Sequence, residues 1–327
     1  MALKCRTPTG RPGWPVVLIA GSDKAGKSFA AASATSSELV RDSYWINFGE
    51  REPDEYGQLG NFLIVEHDGT YRDLLRAIDD VNAVEPGDKP DLLIIDSASP
   101  VWLLLKDEVQ EIAWRRAKAK ADRTHQRFDK AADEVKPSMD LWNLAAQRWQ
   151  HIMDAIREHQ GPVIITARLD EVNVIGRNDQ PTGEKTWSIQ AHKSLPYDVD
   201  AVIEVRGYRN YLVRGVRSLK WSAPQDQLVP VKDWTVEKHW QMVGIEDAET
   251  RSQPRVDAAR SLDADEAVVR NRAALLAAIG EGMPEDARRR LAADWEAKHG
   301  HPINETRDIP ALMELRDSLK EASDADR

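Results

Sequence analysis

The stretch Gly21-Ser22-Asp23-Lys24-Ala25-Gly26-Lys27-Ser28 follows an apolar run, VVLIA, and opens onto the helix-forming residues Phe29-Ala30-Ala31-Ala32. It fits the pattern G-x-x-x-x-G-K-[ST] between a buried-type strand and a helix. Its chemistry is the holding of phosphate. Glycines let consecutive main-chain N–H groups turn inward, and the helix that follows presents its positive N-terminus. Lys27 would then reach the β and γ phosphates and Ser28 would bring its hydroxyl to Mg²⁺. Residues Gly21 to Phe29 are therefore the candidate nucleotide-binding loop, with ATP and Mg²⁺ as the expected ligands.

Such a loop needs a metal-side carboxylate at the end of a neighbouring buried strand. DLLIIDSAS supplies Asp96 after four apolar residues, paired with Ser28 as the expected metal site. Hydrolysis further needs a group that orients or deprotonates water. The strand YWINF runs into GERE, which makes Glu50 the water-activating candidate. Glu52, Asp54 and Glu55 crowd the same loop, and a solvated acidic turn is the plain alternative.

These residues must be carried by a sheet. Short apolar runs (VVLIA, YWINF, FLIVEH, DLLIID, PVIITAR) alternate with helical stretches, the pattern of a mostly parallel α/β sheet covered by helices. TYRDLLRAIDDV carries Leu74, Leu75, Ile78 and Val81 at helical spacing, and MDLWNLAAQRWQHIMDAIREHQG carries an apolar stripe that belongs to a core. A polar stretch follows PVIITARLDEV and is too long for a plain connector. Then AVIEVRGYRNYLVRGVRSLKW alternates on both sides of GYRN, as an antiparallel hairpin does. The expected organisation is a core over 1–224 with a helical insertion at about 105–137, a linker over 225–260, and an acidic module of three short helices over 261–327.

The order of these parts resembles the RecA-like recombinase ATPases, through GSDKAGKS, INFGERE, DLLIIDSAS, PVIITARLDEV and the hairpin ending RSLKWSAP. DSASPVW, MDLWN and VIITAR look more closely like the RecA-like ATPases of actinobacterial phages, a group related to phage single-strand annealing proteins. The likeness covers about residues 14 to 224. It implies a RecA-like P-loop core, a catalytic glutamate where Glu50 stands, and subunits that assemble as rings or filaments. It also implies basic residues inserted into a neighbour's nucleotide site, for which Arg217 and Lys220 are the candidates. RecA itself carries an Asn-Gln pair after the VIITAR strand, where this chain has Ala167 and Arg168. Arg168 is accordingly either a cationic γ-phosphate sensor, counted with Lys27 and Glu50 as catalytic, or a surface ion-pair partner.

Single-stranded DNA needs cations along its backbone and aromatic faces for its bases. Arg115, Arg116, Lys118, Lys120 and Arg123 gather beside Trp114, and Arg177, Lys185, Trp187 and Lys193 lie in the polar stretch after Arg168. In RecA-like proteins the two DNA loops occupy those places. A solvated helical arm and a plain β-ribbon are the respective alternatives. His67, His125 and His192 lack metal-ligand spacing.

The chain has 327 residues and a net charge of −10, of which about −7 falls in residues 225–327, so total charge says little about the core's local surfaces. Cys5 is the single cysteine, which excludes an intramolecular disulfide and fits a reducing compartment. No run approaches a membrane span, and a cytoplasmic protein is expected. The function expected is ATP hydrolysis coupled to single-stranded DNA in recombination or annealing. A ring-forming helicase is one alternative. The other is an ATP-dependent scaffold that recruits a single-strand-binding or replication protein through the acidic module.

Overall fold

The computed structural model describes residues 5–325 except 52, 131–132, 176–179, 222, 224–226, 250–272, 281–282, 305 and 307–308. The chain divides into two compact units, Met1–Pro254 and Arg255–Arg327.

The larger unit is built on a sheet that has nine strands among the described residues. They are β1 (Val16–Gly21), β2 (Ser43–Asn47), β3 (Leu63–Ile64), β4 (Leu92–Asp96), β5 (Val163–Ile175), β6 (Pro181–Ile189), β7 (Ala201–Val205), β8 (Tyr211–Val216) and β9 (Val229–Pro230). Their order is β3-β2-β4-β5-β1-β7-β8-β9, with β6 paired to the outer part of β5. Strands β3 to β7 on this path run parallel, β8 returns antiparallel to β7, and β9 is in turn antiparallel to β8.

Alternate residues of each central strand face opposite sides, and both sides are covered, which is why the strands read as continuous apolar runs. Leu18, Ile46, Leu93, Ile95 and Ile165 enter one core with helices α2 (Tyr71–Asn82), α3 (Ala98–Arg123) and α4 (Met139–Arg157). Val17, Ile19, Trp45, Ile94 and Ile164 enter the other with α1 (Lys27–Ala34). Thr70 opens α2 by accepting a hydrogen bond from the Asp73 N–H, which satisfies one orphan donor of the first turn. A four-residue helix, α5 (Leu195–Asp198), leads into β7.

Three sequence expectations change. The third strand is confined to Leu63–Ile64, both exposed at the sheet's edge, because an edge position buries no continuous run. The helical insertion expected at 105–137 is the outer part of α3, which starts straight after β4 and is anchored in the core by Val101, Leu105 and Val109. The described residues between 124 and 138 are not helical. The linker expected over 225–260 carries β9, the fully buried Trp240, and helix α6 (Val236–Val243), packed with Trp234 and Ile245 into the second core. Thr235 caps α6 at its start and Gly244, at φ 84°, ends it.

In the smaller unit, helices α7 (273–280), α8 (Glu285–His299) and α9 (Ile309–Ala325) contribute Leu275, Ile279, Trp295 and Leu312 to a small core. The first expected helix, from about 263, falls outside the described residues up to 272.

Candidate nucleotide site

The loop leaves β1 at Gly21, where β7 passes so close that a Cβ would stand 2.9 Å from the Val205 Cβ. The Ser22 N–H donates to the Val205 carbonyl at 3.3 Å. Gly26 takes φ 103°, a left-handed turn that suits glycine, and α1 begins at the next residue. The loop is thus fixed between a strand end and a helix start, as a phosphate cradle requires. Lys27 folds back over it, its Nζ donating to the carbonyls of Gly21 at 3.1 Å and Ser22 at 3.0 Å. Burial lowers the Lys27 pKa, with Asp96 and Glu50 acting against that shift.

Strand register brings the acidic side to this loop. Asp96 ends β4 beside Asn47 at the end of β2, and Arg168 lies opposite Gly21. Ser28 Oγ donates to Asp96 Oδ2 at 2.9 Å, and Thr166 Oγ donates to the other carboxylate oxygen. Burial raises the Asp96 pKa, against the hydrogen bonds from Thr166 and Ser28. A buried carboxylate beside a serine hydroxyl is a hard oxygen donor pair, and a divalent cation would supply the charge the site withholds from Asp96. Ser28 and Asp96 therefore fit Mg²⁺.

Glu50 stands one contact further out. Ser97 Oγ donates to Glu50 Oε1 at 2.9 Å, so the carboxylate is tied to the residue after Asp96. Arg168 donates to the same oxygen from Nε and Nη2, both at 3.1 Å. The Arg168 main-chain N–H is itself held by Ser99 Oγ at 2.8 Å. Lys27, Ser28, Asp96, Glu50 and Arg168 thus converge on one end of the sheet. Both open readings of Arg168 meet here, since its ion pair is with the water-activating candidate itself.

The remaining candidates lie elsewhere. Arg217 and Lys220 follow β8, whose last residue, Val216, pairs with Ala201 near the start of β1, at the opposite end of the sheet from the loop. Arg217 is 89% exposed and 4.0 Å from Asp200. Lys220 Nζ donates to Asp247 at 2.9 Å. Neither belongs to this chain's own loop.

Among the cationic residues of α3, Arg115 pairs with Glu111 and Arg116 with Asp140. Lys118, Lys120 and Arg123 are exposed on the helix's outer end. Past Arg168, β5 and β6 form a two-stranded ribbon that leaves the sheet. On it Lys185 pairs with Glu171, and Trp187 is half-buried under the Arg206 guanidinium, 5.1 Å from the ring centroid. Trp187 is therefore not a freely exposed stacking face. Lys193 is exposed, and Arg177 lies outside the described residues. His67 donates from Nε2 to the Asn47 carbonyl and His192 hydrogen-bonds Ser194 through Nδ1, as ordinary polar residues do.

Sequence reasoning missed Thr166, Ser97 and Ser99, whose parts depend on strand register, and Arg209, which stacks on Phe29 of the loop. Thr166 was the one with a signal, as the single polar residue inside the run VIITA.

A phosphate-loop motif between a buried strand and a helix, with one strand (β5) lying between the loop strand and the strand ending in Asp96, gives an α/β fold that resembles P-loop NTPase folds. No family model matches the chain, and no curated protein matches it. Similar solved structures include the RadB recombinase, at 11% identity over 68% of this chain and 93% of that one, with a TM-score of 0.37. A prototypical ATPase from the type III secretion system of pathogenic bacteria is 13% identical over 92% of this chain and 80% of that one, with a TM-score of 0.31. The ATPase EscN of the enteropathogenic E. coli type III secretion system is 15% identical over 93% and 67%, with a TM-score of 0.32. Among the described residues, no helix is long and apolar enough to cross a membrane.

Proposed function

We propose that this chain is a Mg²⁺-dependent P-loop ATPase of RecA type that works on single-stranded DNA in recombination or annealing, as a cytoplasmic homo-oligomer. The observation that carries the enzymatic part is the Ser28–Asp96 contact of 2.9 Å beneath Lys27, with Glu50 joined to it through Ser97. Ser28 and Asp96 would hold Mg²⁺, which would supply positive charge to offset that of the phosphate groups. Glu50 accepts a proton from water as the water oxygen attacks the γ phosphorus. The bond from that phosphorus to the β–γ bridging oxygen breaks, and ADP departs with the electron pair. Lys27 and Arg168 offset the negative charge that gathers on the phosphoryl oxygens. The Arg168–Glu50 pair is the resting arrangement, to be opened when a γ phosphate claims the guanidinium.

The DNA part rests on the sequence resemblance to RecA-like ATPases of actinobacterial phages. It is supported by the exposed Lys118, Lys120 and Arg123, and by the ribbon that continues β5 directly from Arg168. Arg217 and Lys220, remote from their own loop, suit a neighbouring subunit's site, and in Lys220 this requires release from Asp247. The acidic module over 261–327 is read as the docking point for a single-strand-binding or replication protein.

ATP turnover measured against oligonucleotide concentration at low salt tests both parts. Turnover should rise with single-stranded DNA, vanish in Lys27→Ala, and lose its DNA response in Lys118→Glu/Lys120→Glu. Retained turnover in Lys27→Ala overturns the site, and rates indifferent to DNA overturn the DNA role.

A further inference from the structure

The sheet order sorts the two ends of a bound triphosphate. Asp96 on β4 and Arg168 on β5 lie to one side of β1, while β7 and β8 lie to the other. A triphosphate whose γ phosphate faces Glu50 and Arg168 therefore leads its nucleoside out past the first turn of α1, toward the turn that joins β7 to β8. That turn, Gly207 to Asn210, is closed by the Asn210 N–H donating to the Gly207 carbonyl at 3.2 Å.

The turn is fastened to the phosphate loop. The Arg209 N–H donates to the Ala25 carbonyl at 2.8 Å and the Tyr211 hydroxyl to the Gly26 carbonyl at 3.4 Å. Arg209 takes φ 53°, an unfavourable setting for a residue with a Cβ. In it, the guanidinium carbon lies 3.7 Å from the centroid of Phe29, the residue after Ser28, and 5.0 Å from that of Tyr208. The Tyr208 ring is 74% exposed. The guanidinium thus lies over both rings, Arg209 is fastened to the loop through its main-chain N–H, and the largely exposed Tyr208 presents an aromatic surface beside it.

We propose that Tyr208 and Arg209 form the platform on which the nucleobase of the triphosphate stacks, with Phe29 bracing Arg209 from behind. This deepens the P-loop reading of the same site and rests on it. The platform adds affinity for nucleosides and none for inorganic phosphate chains.

Calorimetric titration of the full chain with Mg²⁺ and either a non-hydrolysable ATP analogue or tripolyphosphate tests the platform. Tyr208→Ala and Arg209→Ala should each weaken the analogue about five- to thirtyfold and leave tripolyphosphate unchanged. Tyr208→Phe should stay within about twofold of the parent, since it keeps the ring. Tyr208 is exposed, so its replacement does not threaten folding, and Tyr208→Ala decides the matter alone. An unchanged analogue affinity in Tyr208→Ala, or an equal loss for both ligands, overturns the platform. A parent chain that binds neither ligand overturns the P-loop reading itself, a different result from platform failure.

Discussion

Glu50 and Arg168 are 118 residues apart in sequence, yet they share one carboxylate oxygen at 3.1 Å from two guanidinium nitrogens. A glutamate used as a base must give its lone pair to water, so this pair and the hydrolytic step compete for the same atom. Glu50→Gln keeps the hydrogen-bonding shape and removes the base. Its turnover should fall about 10²- to 10⁴-fold with ATP affinity preserved, as checked by parallel rate and binding measurements. Arg168→Ala should lower maximal turnover about a hundredfold or more if, as proposed, its guanidinium stands at the γ phosphate. A faster rate in that variant would mean that Arg168 only restrains Glu50.

At the scale of elements, the segment after β8 decides how much chain the larger unit needs. Its apolar residues Trp234, Val236, Trp240 and Ile245 close the second core from the side of β1 opposite α2, α3 and α4. Trp240→Ala should therefore cost about 3–5 kcal/mol in urea unfolding, the range for a fully buried aromatic. A chain ending at residue 224 should fail to fold cooperatively, whereas one ending at 249 should retain the transition of the larger unit. Loss of cooperativity in the longer chain, by circular dichroism, would contradict this assignment.

The molecule's stability as a whole carries a pH signature from the same region. His239 is fully buried between Trp221 and Trp234, and among the described residues neither ring nitrogen has a hydrogen-bond partner. Burial pushes the imidazole down to about 4 from an ordinary 6.5. Between those values the unfolded chain binds a proton that the folded one refuses, so stability falls as pH drops through the window. The full loss is about 3 kcal/mol, reached near pH 4. Urea midpoints at pH 7 and 4.5 should differ for the parent, and His239→Leu should narrow the difference. An equal drop in the variant would assign the effect to other groups.

The phosphate-loop pattern and the strand-end position of Asp96 were legible in the residue string because local spacing fixes them, whereas Glu50 was one of several acids in its turn. A glycine pattern sets the turn, and an acid at the end of an apolar run marks a strand leaving the core. The α/β alternation was legible for the same reason, since strands covered on both faces must be apolar throughout. Within the linker expected over 225–260, residues 227–249 belong with the core; their apolar positions are interrupted by turns, and only packing against α1 and β8 shows it. The Thr166 hydroxyl on Asp96, the hold of Arg168 on Glu50 and the seat of Arg209 on Phe29 come from strand order and register, which pair residues far apart in sequence. No local pattern encodes those neighbours, because they meet only once the sheet has closed.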